Sequence, residues 1–315
     1  MKNRCLIIKI LCFLFITLCV LSPASQVHSE ENVKKVYIED TSPTISTPQY
    51  SAAMDSFHPP LGTYLFSVKW GKVKAGKATI EVTRDQDFYK IHVLAKTQNT
   101  VNKFYKLRFK AETKLTADKL VPLKSTMSQR TNKRASETEI TFHDEGEIES
   151  VRHKFKDETK NKTEIRKLKT ENFTLDPVSA FFIVRSLDWE EGLSRQFDIF
   201  DGKSRHLVTI ICTGQEKQEV LGETRNTWVL VPTIQNITEG EESPEASAIR
   251  VYLSTDKAKE ILIIEGDLFV GKVITKLESF EPPEATVPSK VLEENDDQKE
   301  ARIQVRSATA NGVLV

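Results

Sequence analysis

The chain has 315 residues, 39% of them hydrophobic and 29% charged, with 45 basic and 45 acidic side chains. That length supports a sizeable apolar core, and the balanced charge excludes a general nucleic-acid binder, which would carry a clear basic excess. Cys5, Cys12 and Cys19 fall in the first 29 residues, so Cys212 stands alone after them and no intramolecular disulfide can form there.

Lys2, Arg4 and Lys9 accompany an apolar run, Ile10 to Leu21, closed by Ser22-Pro23 and followed by Val27-His28-Ser29. A basic start, a short apolar core and a small-residue exit predict a signal peptide over 1–29. The run is short for a membrane span, and an uncleaved anchor is the alternative. Leu11 and Leu18, not small residues, precede Cys12 and Cys19, so the lipid-attachment pattern is absent. Cleavage leaves 42 basic against 45 acidic residues and no stable transmembrane segment.

Residues 30–59 mix Ser, Thr, Pro and charge without periodicity and read as a disordered linker. Strands then follow one another. Tyr64, Phe66, Val68 and Trp70 alternate with polar or small residues, Gly71 and Gly76 punctuate, and Ala78, Ile80 and Val82 resume the alternation. This period of two predicts a hairpin opening an antiparallel sheet. Similar runs lie at Ile91–Ala95, Tyr105–Ala111, Leu123–Met127, Ile140–Phe142 and Val151–Phe155, each with one apolar and one polar face.

One helix interrupts. Asp176-Pro177 supplies an N-cap and a proline at the first helical position, and Val178, Phe181, Phe182, Arg185 and Leu187 follow at helical spacing. The aromatic pair predicts a helix packed on the sheet. Strands resume at Phe197–Ile199, Leu207–Cys212, Trp228–Thr233, Ile249–Leu253, Ile261–Ile264 and Val270–Leu277. Pro232 predicts a bulge or an edge. Trp70-Gly-Lys-Val73 is echoed in Val270-Gly-Lys-Val273. Past residue 281, Pro282-Pro283 and five acidic residues between 293 and 300 read as a polar tail, with a loose helix at 291–306.

The motifs Tyr64-x-Phe66-x-Val68-x-Trp70-Gly, Ala75-Gly76, Asp176-Pro-Val-Ser-Ala-Phe-Phe182, Val251-Tyr-Leu-Ser-Thr-Asp256 and Gly271-Lys-Val occur in that order. In this the chain resembles the exported bacterial proteins grouped as domain-of-unknown-function family 3108, over about residues 60–280. The resemblance implies a mostly antiparallel β domain in the bacterial envelope, hence the periplasm. It brings no established reaction and no catalytic residues.

Searching for chemistry returns little. No two of His58, His92, His143, His153 and His206 have zinc-ligand spacing, and no nucleophile elbow or phosphate-cradling glycine loop occurs. No cofactor is expected. Asp188, Glu190 and Glu191 read as a solvated loop, and Cys212 as a buried thiol. Charge is more telling. Residues 101–170 hold 18 Lys or Arg against 11 Asp or Glu, densest from Arg152 to Lys169. Lysines of this kind protect sheet edges or form a face for anionic envelope components.

The fold expected is all-β and mainly antiparallel over residues 60–281, a curled sheet, barrel, roll or half-open clam with one packed helix. Such a shape encloses an apolar interior, which predicts non-enzymatic binding of an anionic amphipathic envelope molecule, a lipid or lipid-linked glycan. Its tail would meet Phe66, Trp70, Phe109, Phe181 and Phe182, and its head Lys154, Lys156, Lys160 and Lys162. The alternatives are an envelope scaffolding protein with a packed interior that binds an envelope protein, and an envelope hydrolase. For the N-terminus, the expected mature chain begins near Glu30. Intact-mass analysis after osmotic-shock release checks this, and full-length chain in the membrane pellet would refute it.

Overall fold

A computed structural model describes residues 34–39, 45–50, 52, 57–132, 134–156, 159–238, 248–268 and 271–283. The expected signal peptide, the loose helix at 291–306 and the acidic tail lie outside the described residues, as do the side chains of Lys156 and Lys160. The chain divides into two compact units, Met1–Pro282 and Pro283–Val315, and all described elements belong to the first.

Two meanders make up the fold. The first runs through β2 (Gly62–Trp70), β3 (Val73–Asp85), β4 (Phe88–Thr97), β5 (Leu107–Thr116), β6 (Pro122–Thr131), β7 (Ala135–Phe142), β8 (Glu147–Lys156) and β9 (Thr159–Lys169). The second runs through β10 (Thr174–Leu175), β11 (Ser194–Phe200), β12 (Arg205–Val220), β13 (Glu223–Asn236), β14 (Ala248–Ser254), β15 (Ile261–Leu268) and β16 (Gly271–Glu281). A strand before them, β1, is Lys34–Glu39. A single helical turn, α1 (Asn99–Asn102), follows β4, and the helix α2 (Pro177–Ser186) follows β10.

All these strands form one sheet in the order β1-β9-β8-β7-β6-β5-β4-β3-β2-β16-β15-β14-β13-β12-β11-β10. Only β1 with β9 and β10 with β11 pair in parallel. The meanders meet where β16 lies antiparallel to β2, with Val273 opposite Trp70. Gly71 N–H donates to the Lys272 carbonyl at 2.9 Å, so the two echoed Gly-Lys-Val segments are neighbours in space. The sheet ends at β1 and β10, so it is an open, curled form and not a closed barrel.

Alternation sets which face is dry. Tyr64, Phe66, Ile80, Val82, Ile91, Val93, Phe109 and Ala111 are buried together on the inner face. A bulge opposite Val68/Lys69, with Ala75 of β3 as the extra residue, shifts the β2–β3 register. Trp70 beyond it is half-buried against the core, and not the fully buried anchor its place in the run implies. Gly76 is required by proximity: a Cβ there would sit 2.7 Å from the Lys96 carbonyl oxygen on β4.

Two insertions fill the concave side. One is α2. The other is the turn between β11 and β12, where Phe200 to His206 are all buried. Asp201 accepts the N–H groups of Lys203 and Ser204 at 2.8 and 2.6 Å, and Ser150 Oγ on β8 donates to the Gly202 carbonyl at 2.8 Å. Gly202 adopts φ +82°, and a Cβ on it would strike Thr138 of β7.

The stretch read as a linker is instead built into the fold at several points. Its residues 34–39 pair with β9. Asn172 clamps residues 45–47, accepting from Thr47 N–H at 3.1 Å and donating to the Ile45 carbonyl at 2.5 Å. The Tyr50 ring lies 5.0 Å from Phe197, and Phe57 is fully buried. Without apolar alternation, none of this shows in the periodicity.

Gly76→Val should cost about 1–3 kcal/mol or more, because the β4 backbone must move. Trp70→Ala should cost less than the roughly 3–5 kcal/mol of a fully buried aromatic. Urea melts measure both. A Gly76→Val protein melting with the wild type would contradict the close approach of β3 to β4.

Candidate functional site

Helix α2 is held at both ends by polar groups from opposite arms of the sheet. At its start Asp176 is the N-cap, accepting from Val178 N–H at 2.9 Å and Ser179 N–H at 3.3 Å. The same carboxylate accepts from Thr113 Oγ1 on β5 and Ser125 Oγ on β6, at 3.1 and 3.3 Å. Asp176 is fully buried, and that burial pushes its carboxyl above the usual range despite these donors. At the other end Arg185 donates to the Lys259 and Ala258 carbonyls, in the turn between β14 and β15. Lys259 Nζ returns the contact, donating to the carbonyls of Ser186 and Leu187 at 3.3 and 3.1 Å and to Asp188 at 2.7 Å. A cation there also suits the negative end of the helix.

Between this helix and the second meander lies a cavity of about 180 Å³. Its helix wall includes Val178, Ala180, Phe181, Phe182 and Val184. Its sheet wall comes from β11 to β15, with Ile80 and Val93 from the first meander. All the described lining residues are apolar. Phe181, Pro232, Ile234 and Val251 are half-exposed and form its mouth. The β13–β14 ladder stops at Leu230 opposite Val251. Pro232, two residues on, has no N–H to give to a ladder, and the strands part there.

The expected site residues separate. Phe181 and Phe182 line the cavity. Phe66 and Phe109 are buried in the core and Trp70 flanks it; none of the three lines the cavity. Lys154 and Lys162 lie on β8 and β9, several strands from the cavity, and both donate to Glu164 Oε1, at 2.6 and 2.7 Å. Directly opposed residues of a pair share a face. Arg152 lies opposite Glu164 and Ser150 opposite Arg166, so these charges point to the side where the Asp201 turn is docked. Lys156 and Lys160 belong to β8 and β9 and their side chains lie outside the described residues.

Sequence reasoning missed most of the sheet wall, because only tertiary curl decides which apolar face meets the helix. It missed Arg185 as well, although a charge at i+4 from Phe181 on an otherwise apolar face was a signal. Cys212 is fully buried, and burial pushes its thiol up. Asp188, Glu190 and Glu191 are exposed. Among the described residues no cluster of His, Cys, Asp and Glu could hold a metal ion, and no helix is long and apolar enough to cross a membrane.

The class defined by this geometry is an open antiparallel β-sheet curled round one helix with an apolar cavity beside it. The chain belongs to the DUF3108 family, described as "Protein of unknown function (DUF3108)", whose model matches residues 65–278. Among solved structures it is similar to a beta-barrel-like protein of domain of unknown function DUF1849 from Brucella abortus. Identity there is 13% and the TM-score 0.47, over 71% of this chain and 98% of that one. It is also similar to the hypothetical protein CT021 from Chlamydia trachomatis, at 10% identity and TM-score 0.28, over 74% of this chain and 93% of that one. No curated protein matches the chain.

Glu164 should make the fold sensitive to acid. Burial alone would raise its pKa, but the hydrogen bonds and charges of Lys154 and Lys162 prevail and hold it at about 2. Lys154 is itself pulled down, because burial together with the like charges of Arg152 and Lys162 outweighs its pairing with Glu164. A depressed carboxylate stabilises fully above its unfolded value and loses that contribution as pH falls through the folded one. Urea midpoints should therefore fall between about pH 4.5 and 2, and Glu164→Gln should flatten that part of the profile. An unchanged profile would show that the pair does not persist in solution.

Proposed function

We propose that this protein is exported to the periplasm and there binds or carries, without catalysis, a molecule with an apolar tail. The observation that supports the reading is the cavity whose described walls are wholly apolar, with a mouth of half-exposed apolar side chains. An apolar cavity of roughly 150 Å³ stays dry and takes a ligand the size of benzene. At about 180 Å³ this one accommodates the end of one acyl chain rather than two whole tails. A lipid or lipid-linked molecule of the envelope supplies such a chain. The family membership is compatible with this reading and adds no reaction to it.

Native mass spectrometry of protein purified from its own envelope should show a bound lipid. A long-chain alcohol such as dodecanol should displace it. Ala180→Phe, which fills the cavity from the helix side, should lower dodecanol affinity about tenfold while leaving the circular dichroism spectrum unchanged. Bare protein in the spectrum together with no dodecanol uptake would overturn the reading in favour of a packed scaffolding protein.

A further inference from the structure

Behind the aromatic wall of the cavity lies a charge that no described carboxylate bonds. Arg185 is 2% exposed. Its Nε donates to the Lys259 carbonyl at 2.7 Å and a terminal nitrogen to the Ala258 carbonyl at 3.1 Å. Otherwise the guanidinium faces rings: Phe182, Tyr64, Phe57 and Phe181 have centroids 5.1, 5.5, 5.6 and 5.8 Å from its central carbon. The nearby carboxylates of Glu260 and Asp256 are taken by Arg225, at 2.8 and 2.5 Å. Carbonyl dipoles and ring faces offset part of the cost of burying a cation, but a desolvated charge ordinarily has a counter-ion.

Tyr64 stands beside this charge. Its residue is 3% exposed, and its buried hydroxyl has the Arg185 guanidinium as its hydrogen-bonding neighbour. Burial pushes the phenol up, against the charge and hydrogen bond of Arg185, which pull it down. Neither group lines the cavity, but both stand against residues that do. Tyr64 lies opposite Ile80 in the β2–β3 ladder, and Ile80 lines the cavity. Phe181 and Phe182 line the cavity and also stand at the guanidinium. A bound water would leave the charge uncompensated.

We infer that Arg185 and Tyr64 bind the carboxylate of a single-chain fatty acid, the end of whose chain nearest the head occupies the cavity. The head passes the half-buried Phe181 ring, and guanidinium N–H groups and the Tyr64 hydroxyl donate to its two oxygens. A planar fork beside one hydroxyl matches a planar two-oxygen anion. The inference rests on the cavity taking an apolar tail, and it moves the anionic head from the β8–β9 lysines to the helix.

Dodecanoic acid and dodecanol, compared at pH 8 by displacement of a fluorescent apolar probe, separate the two ideas. The acid should bind at least about tenfold more tightly than the alcohol, the usual scale of a charge-assisted contact. Tyr64→Phe should lower that ratio several-fold. Arg185→Met, which keeps an apolar side chain of similar length in the aromatic box, should bring it to about one with alcohol binding retained. Equal affinities in the wild type would overturn the carboxylate site and leave the apolar-tail reading standing. A preference that survives Arg185→Met would also overturn it, and would return the head to the lysines. Binding of neither molecule would overturn both. An Arg185 with a purely structural role would shift thermal stability and leave the acid-to-alcohol ratio unchanged.

Discussion

An open sheet this wide cannot satisfy its own inner face, and the structure depends on what spans it. Helix α2 does so. It is only ten residues long, about 15 Å at the usual rise, yet Asp176 ties its start to β5 and β6 while Arg185 and Lys259 tie its end to the β14–β15 turn. Those anchors lie on opposite sides of the seam between the meanders. The helix acts as a strut: its apolar face fills the concavity, and its polar ends fix the separation of the two arms. The cavity is the space left between the strut and the wall of the second meander.

The interior has two characters. Beside α2 it is apolar. Beneath the Asp201 turn it is polar, with Ser150, Arg152 and Glu164 of β8 and β9 all buried on that side. Burying Asp201 is tolerable because two backbone N–H groups and the His206 ring surround it, and together with Arg152 they hold its carboxyl below the usual range against burial. Arg205 is likewise matched, by Asp198 at 2.5 Å. Against these paired groups Arg185 stands out, since no described carboxylate bonds it.

Much of the sheet was legible, because one wet and one dry face leave alternation in strands such as Tyr64–Val68 and Leu107–Ala111. The start of α2 was legible from Asp176-Pro177. What did not show follows one rule. Strand β9 carries charge on the face that turns inward, since its interior is polar, so period two is lost there. Strand β1 pairs in parallel at an edge, with Val36 and Ile38 opposite Glu164 and Arg166, a placement that no local pattern announces. The cavity depends on curl and on the parting of β13 from β14, of which Pro232 was the only local sign.

The seam between β2 and β16 has a consequence for how the chain becomes a protein. It joins Thr63 to Glu281, almost the first residue of the sheet's main run to its last. Until β16 emerges from the ribosome, β2 has one unpaired edge beside Tyr64, Phe66 and Val68, which the finished sheet buries. An exposed edge next to apolar side chains invites pairing with another chain. The nascent protein therefore carries an adhesive edge from the synthesis of β2 until the final strand closes over it.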